Sequence, residues 1–266
     1  MKLSAKRIVL TGAAGGLGRV LAEQLATHGV KMGLVDLNAE ALDELVSQLH
    51  GINQDIIAIS ADLTRYDSRA RIVNQMQTRF GGIDILINNA GIMEFREFVD
   101  QDPAMIDKMI SVNVTAPMQL THDVLPGMLE NHHGQVVNIG STFGSIAFAC
   151  FASYSATKFA MRGFSEALRR ELEGSGVNVT YIAPRAIKTP LNSPAVYRMA
   201  EKVKMNMDEP ADIARAIIRA IEQDKKDSYL GFPESLFVRI NAVLPRLVDG
   251  SLRKQNQIMR EYTHEH

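Results

Sequence analysis

The sequence predicts an α/β fold: one doubly wound parallel sheet of about seven strands, with helices on both faces. Three observations carry that expectation. Short apolar runs alternate with stretches of helical periodicity along most of the chain. The links between them are short, as strand–helix–strand units require. The first link is the glycine-rich Thr11-Gly12-Ala13-Ala14-Gly15-Gly16-Leu17-Gly18, set between a strand and a helix.

Size and charge agree with this class. A chain of 266 residues fits one large α/β domain. Such a domain buries roughly 70–75% of its unfolded surface and needs no disulfide staple. The net charge is −1, with no long run of one sign. That argues against a nucleic-acid footprint. The single cysteine, Cys150, cannot form an internal disulfide, which points to a reducing, cytoplasmic setting. The apolar run 8–10 is too short for a signal-peptide core. No run approaches the ~20 apolar residues of a spanning helix. No His, Cys and carboxylate group has metal-ligand spacing, so no metal is expected.

Taken in order, Ile8-Val9-Leu10 reads as a buried strand. After the glycine turn, Leu17, Val20, Leu21 and Leu25 fall on one helical face. Backbone N–H groups of such a turn, with the helix N-terminus behind them, form a phosphate site. The glycines Gly12, Gly16 and Gly18 do not follow the G-x-G-x-x-G spacing. The second strand, 31–35, ends in Asp36. An acid there accepts hydrogen bonds from a ribose, or it caps the helix expected at 38–49. It also repels a 2′-phosphate, and neither Leu37 nor Asn38 offers a cation to hold one. NAD is therefore favoured over NADP.

The third strand, 55–60, leads to Asp62 and Leu63. Asp62 lies just past a strand end, where it meets a ligand or caps the helix 67–80. The fourth strand, 83–87, runs into Asn88-Asn89-Ala90-Gly91, which suits a tight turn beneath a ligand. Residues 103–131 read as one or two helices, broken near Asn113 and Pro117. The fifth strand, 135–139, ends at Gly140-Ser141, and the sixth, 177–182, ends at Pro184-Arg185-Ala186-Ile187-Lys188-Thr189. A helix at 210–224 precedes a seventh strand at 228–232.

Tyr154 and Lys158 stand four residues apart in a segment that reads as a helix opening at Tyr154, which puts both on one face. A free phenol titrates near pH ~10. One ammonium at ~4 Å favours the phenolate by roughly 4 kcal/mol at an effective dielectric of about 20. That is enough to make Tyr154 an acid/base near neutrality. An exposed Tyr and Lys on an amphipathic helix would show the same spacing.

Together, Thr11-Gly-x-x-x-Gly16-x-Gly18, Asp36, Asp62, Asn88-Asn-Ala-Gly91, Asn113, Ser141, Tyr154-x-x-x-Lys158 and Pro184 with Ile187 and Thr189 resemble the classical short-chain dehydrogenase/reductases. The match runs over residues 6–232. The resemblance implies a Rossmann-type catalytic domain, residues 1–233, with a substrate lid at about 190–209. It implies an oxidoreductase that interconverts an alcohol and a ketone or aldehyde on a small-to-medium, partly hydrophobic substrate. By it, Tyr154 is the general acid/base, Lys158 lowers the phenol's pKa and holds the nicotinamide ribose, and Ser141 donates to the substrate oxygen. Asn113 holds a relay water. Gly12, Gly16, Leu17 and Gly18 wrap the pyrophosphate, and Asp36 takes the adenosine ribose. Asp62 and Leu63 lie by the adenine. Asn89 and Ala90 line the cleft, and Pro184, Ile187 and Thr189 meet the nicotinamide. A homodimer or homotetramer is implied, built on the helices beginning near Pro103 and Tyr154.

Arg185 departs from the family's usual glycine. It narrows the site, binds an anionic substrate group, or points outward along apolar surface. Cys150 reads as a small buried apolar residue or the edge of the substrate pocket. Residues 234–266 form an amphipathic extension that docks on a partner subunit, roofs the substrate site, or rests on a membrane surface. Two other functions share the fold: a redox sensor that binds NAD(H) without turnover, and an isomerase or dehydratase with a bound nicotinamide.

Overall fold

The structure, a computed structural model, describes residues 2–263. Seven strands form one sheet: β1 (Arg7–Thr11), β2 (Lys31–Asp36), β3 (Ile56–Ser60), β4 (Ile85–Asn88), β5 (Gly134–Ile139), β6 (Val177–Ala183) and β7 (Asp227–Tyr229). Every pairing is parallel, in the order 3-2-1-4-5-6-7. The order reverses between β1 and β4. Their C-terminal ends therefore open a crevice, the place where doubly wound sheets bind ligands.

Both faces of the sheet are covered, as near-continuous apolar strands demand. α1 (Gly16–Ala26), α2 (Ala39–Leu49) and α8 (Pro210–Glu222) bury Leu21, Leu42 and Ile217 against Ile8, Leu10 and Ile87. On the other face, α3 (Tyr66–Phe80), α5 (Ala116–Glu130) and α6 (Ala152–Glu171) bury Ile72, Leu120 and Leu168 against Val9 and Leu86. Along β1, successive side chains thus enter opposite cores, the period-two rule of a strand.

The helical region 103–131 breaks where the sequence suggested, and its form is specific. α4 (Pro103–Ile110) continues through a π-helical turn, Ser111–Thr115, into α5. Pro117 has no N–H for the Asn113 carbonyl, and its ring crowds that carbonyl, so the backbone widens by one residue. Ala116 accordingly donates to Ser111, five residues back.

Several boundaries differ from expectation. β7 ends at Tyr229 instead of residue 232, because Gly231 turns the chain at φ +94° and leaves Phe232 76% exposed. β4 starts at Ile85, since Asp84 turns aside to bind Arg7 through both carboxylate oxygens. α6 begins at Ala152, two residues before Tyr154. Asn38, not Asp36, caps α2, its side chain accepting from Ala41 N–H at 3.1 Å.

The lid contains α7 (Pro194–Lys202), and the extension folds into α9 (Glu234–Val243) and α10 (Pro245–Glu261). Val238 and Val248 are buried with Ile146 beside the sheet edge. Met259, near the end of α10, is 1% exposed and packs with Tyr154, Val196 and Met199. The extension therefore packs over the side of the molecule that holds Tyr154. Its opposite surface leaves Leu236, Phe237, Val243, Leu244 and Leu247 exposed.

Candidate active site

A cleft of about 590 Å3 lies across the C-terminal ends of the central strands. It is lined by Gly12, Gly16, Leu17, Gly18, Asp36, Asp62, Leu63, Asn89, Ala90, Ser141, Tyr154, Lys158, Pro184, Ile187 and Thr189. Residues spread over 178 positions of sequence (189 minus 11) thus converge on one groove. Asn113 alone of the expected set lies behind the wall.

At the glycine end, the backbone itself is the surface. Gly12 sits at φ +64°, and a Cβ there would come within 2.8 Å of Ala90 Cα. A Cβ on Gly16 would meet Thr189 and Pro190 at 2.7 Å, and one on Gly18 would run into the Gly12 carbonyl. α1 starts at Gly16 with no side-chain cap and no acid in its first turn. Its leading N–H groups and positive dipole end are left for an anion. Asn89 fixes the turn: its Nδ2 donates to the carbonyls of Thr11 and Gly12 at 3.0 and 3.2 Å. Thr11 Oγ1 in turn accepts from the N–H groups of Asn89 and Ala90.

Asp36 accepts from Ala14 N–H at 2.9 Å and from Asn38 N–H at 3.1 Å. These bonds aim the carboxylate along the cleft, where remaining lone pairs are available to hydroxyl donors. Asp62 accepts from both Thr64 Oγ1–H (2.7 Å) and Thr64 N–H (3.0 Å). The Thr64 hydroxyl chiefly, then its N–H, holds this carboxyl below the usual range. Asp62 therefore shapes the turn before α3 and still borders the groove; it does not cap α3, which starts after Arg65.

At the other end, Tyr154 is buried, with Ser141 beside its phenol. Burial pushes it up to about 12, against a smaller lowering by Ser141. The Lys158 ammonium sits over the ring, 5.5 Å from its centroid, and donates to the Ile139 carbonyl at 3.1 Å. Burial pushes it down to about 8. The arrangement differs from the simple pairing suggested by the four-residue spacing. Desolvation outweighs the lowering by Ser141, so burial favours the neutral phenol.

Asn113 does not enter the cleft. Its Oδ1 accepts from Ile92 N–H at 2.8 Å, and its Nδ2 donates to the Ile92 carbonyl at 2.8 Å and to Thr157 Oγ1 at 3.2 Å. It is a positioning residue that ties the π-helical turn to the strand-end loop and to α6.

Arg185 neither enters the pocket as an anion site nor points away. Its guanidinium is bidentate on Asp208, at 2.9 and 2.6 Å, and also donates to Glu234 at 2.9 Å and to the Phe232 carbonyl at 3.0 Å. Its stem lies against Gly231, where a Cβ would meet Arg185 Cδ at 2.6 Å. Arg185 thereby joins the loop after β6, the end of the lid and the start of α9.

Sequence reading missed part of the cleft's apolar wall, namely Ile92, Met93, Phe143, Phe151 and Val196, whereas Met199 and Met205 fall in the segment it marks as an adaptable methionine lid. The usable signals were proximity to Ser141 for Phe143 and a one-turn offset from Tyr154 for Phe151. Cys150 lies among these residues with φ +64°. Burial, its largest influence, pushes the thiol up to about 11, so it is a neutral, buried member of this apolar cluster. Among the described residues, no group of three His, Cys, Asp or Glu is placed to hold a metal ion. None of their helices is long and apolar enough to cross a membrane.

The profile of the family described as short chain dehydrogenase matches residues 6–199. The chain belongs to the short-chain dehydrogenase family. It is similar to an uncharacterized oxidoreductase of Staphylococcus saprophyticus, 33% identical over 84% of this chain and 94% of that one. It is also similar to dehydrogenase/reductase SDR family member 7B of Bos taurus, 32% identical over 94% of this chain and 82% of that one. Among solved structures, a short-chain dehydrogenase from Streptomyces avermitilis superposes with a TM-score of 0.79 at 30% identity, covering 97% of this chain and 99% of that one. The family comprises oxidoreductases that bind a nicotinamide cofactor.

Proposed function

We propose that the protein is an NAD-dependent enzyme that interconverts an alcohol and a ketone or aldehyde. The observation that carries this is one cleft with two ends. A side-chain-free anion cradle and Asp36 occupy one end; Ser141, Tyr154 and Lys158 occupy the other. The bare N-terminus of α1 suits a pyrophosphate, and the glycines leave room for it. Asp36 accepts from the adenosine ribose and, with Leu37 and Asn38 beside it, opposes a 2′-phosphate. Asp62 and Leu63 border the adenine; Pro184, Ile187 and Thr189 border the nicotinamide. When bound, the cofactor supplies or accepts the hydride. Tyr154 gives its proton to the developing alkoxide during reduction and takes it back during oxidation. Ser141 steadies that oxygen with a hydrogen bond. Lys158 carries positive charge beside both groups up to about pH 8. The working form is a cytoplasmic homodimer or homotetramer.

The test is NADH formation from NAD with a panel of secondary alcohols, sterols and hydroxy acids, and Tyr154→Phe run alongside. Loss of the proton shuttle lowers kcat by about 10³-fold within the usual range for general acid/base catalysis, while NAD binding, read by calorimetry, persists. Tight NAD binding with no turnover of any alcohol or ketone by the native chain would transfer the assignment to a sensor.

A further inference from the structure

We propose that the substrate is an uncharged, lipophilic alcohol or ketone, and that the last turn of α10 backs its binding wall. This rests on the preceding reading for the position of the reacting oxygen. From Tyr154 outward, the surface is aromatic and thioether. The Phe143 ring meets Tyr154 edge-on at 6.0 Å and Phe151 at 5.1 Å, and Phe151 stacks on Phe95 at 4.9 Å. Met199 and Met205 of the lid face this row, and Met259 and Tyr262 join the same apolar cluster from the far end of the chain. Thioethers on unbranched stems adapt to an irregular apolar ligand.

Three arginines around this wall are already paired. Arg96 lies 3.6 Å from Glu94, and Arg260 lies 3.7 Å from Glu97. Arg185, the cation best placed to take a substrate carboxylate, holds Asp208 and Glu234 instead. A charged group entering here would lose its water and displace an existing ion pair, an unfavourable exchange. A hydrocarbon group loses nothing and gains about three- to fourfold in affinity per buried methylene.

Calorimetry tests this directly, on the whole chain with saturating NADH. The ligands are methyl ketones of four to twelve carbons and the matching ω-carboxylated keto acids. Affinity should climb about three- to fourfold per carbon before levelling off, and each keto acid should bind at least 100-fold more weakly than its neutral partner. Met259→Ala should reduce affinity more for the long ketones than for the short ones. Tyr262→Ser, a milder change at a half-buried position, should do the same if Met259→Ala does not fold. Absence of a length dependence, equal binding of the keto acids, or an unchanged length dependence in folded variants would overturn the proposal. Binding without turnover would leave this inference standing and count against the dehydrogenase reading. Turnover confined to short or carboxylated compounds would do the reverse.

Discussion

The two ends of the cleft are built from different materials. At the cofactor end, the wall is backbone, fixed by hydrogen bonds from Asn89, Thr11 and Asp36 to neighbouring main-chain groups. At the substrate end, the wall is side chain: phenyl rings, methionines and a lid held from outside by Arg185. Backbone tolerates no added atom, whereas a cluster of flexible side chains can repack. The first end should therefore be intolerant of change and specific to one ligand. The second should be permissive and open to retuning.

The largest separation between the ends is expected from one small substitution at each. Gly18→Ala drives a Cβ into the Gly12 carbonyl. The turn must shift, at a cost of about 3 kcal/mol or more. The N–H groups aimed at the pyrophosphate move with it, so NAD affinity should fall at least tenfold, about 1.4 kcal/mol. Met205→Leu, a volume-conserving exchange in the lid, should cost less than ~1.5 kcal/mol and leave NAD affinity unchanged. Urea denaturation and NAD titration of both variants measure the contrast. Equal losses would erase the distinction between the two ends.

The same contrast decides what could be read before the fold was known. Gly12, Gly16, Gly18, Asp36 and the Tyr154–Lys158 pair belong to short local patterns; each is ambiguous alone, and their ordered combination exposes them. Alternation of apolar runs with helical stretches likewise carried the succession of strands and helices along the chain. Asn113 was legible as a break because Pro117 follows it by four, but its role was not. The bonds to Ile92 and Thr157 depend on segments 21 and 44 residues away. Phe143, Met199 and Met259 share an apolar cluster through tertiary packing alone, and any apolar residue of similar size satisfies that pattern. Arg185 was visible as an oddity. Its partners Asp208 and Glu234, 23 and 49 residues on, were not. Helix and strand ends slipped where one residue overrode periodicity, as Gly231 does after β7.

An intermediate effect is expected at the link between the ends. Arg185→Ala removes charge-assisted bonds from a half-buried site and leaves Asp208 and Glu234 without their cation. Stability should fall by about 1–3 kcal/mol. The lid and α9 lose their common anchor, so KM for the alcohol should rise more than kcat falls, with NAD affinity little changed. Arg185→Lys should restore only part, because an ammonium cannot reproduce the fork on Asp208 while reaching Glu234. Steady-state kinetics beside thermal melts separate this from general destabilisation: a purely structural role would move the melting temperature without the shift in KM.

A last effect, of similar size, runs in the opposite direction and concerns a charge buried at the catalytic end. Lys158 is depressed to about 8 from the ordinary lysine value of 10.5, with burial as its cause. Below about pH 8 the ammonium is charged in both folded and unfolded chains, and burying it opposes folding. Between about 8 and 10.5 the folded chain has released the proton that the unfolded chain still binds, so stability rises with pH and the penalty fades. Lys158→Met should therefore be inactive yet more stable than the native protein at pH 7, by about 1–3 kcal/mol after the lost bond to the Ile139 carbonyl is counted. That advantage should shrink steadily as the pH is raised from 8 toward 10. Tyr154 is raised, and its own stability contribution is lost only above about pH 10 as pH climbs toward 12; it is common to both proteins and cancels in the difference. Paired denaturation curves at pH 6, 8 and 9.5 measure it. A pH-independent difference would mean that the ammonium is already well solvated through the cleft, and that the catalytic end is wetter than its apolar walls imply.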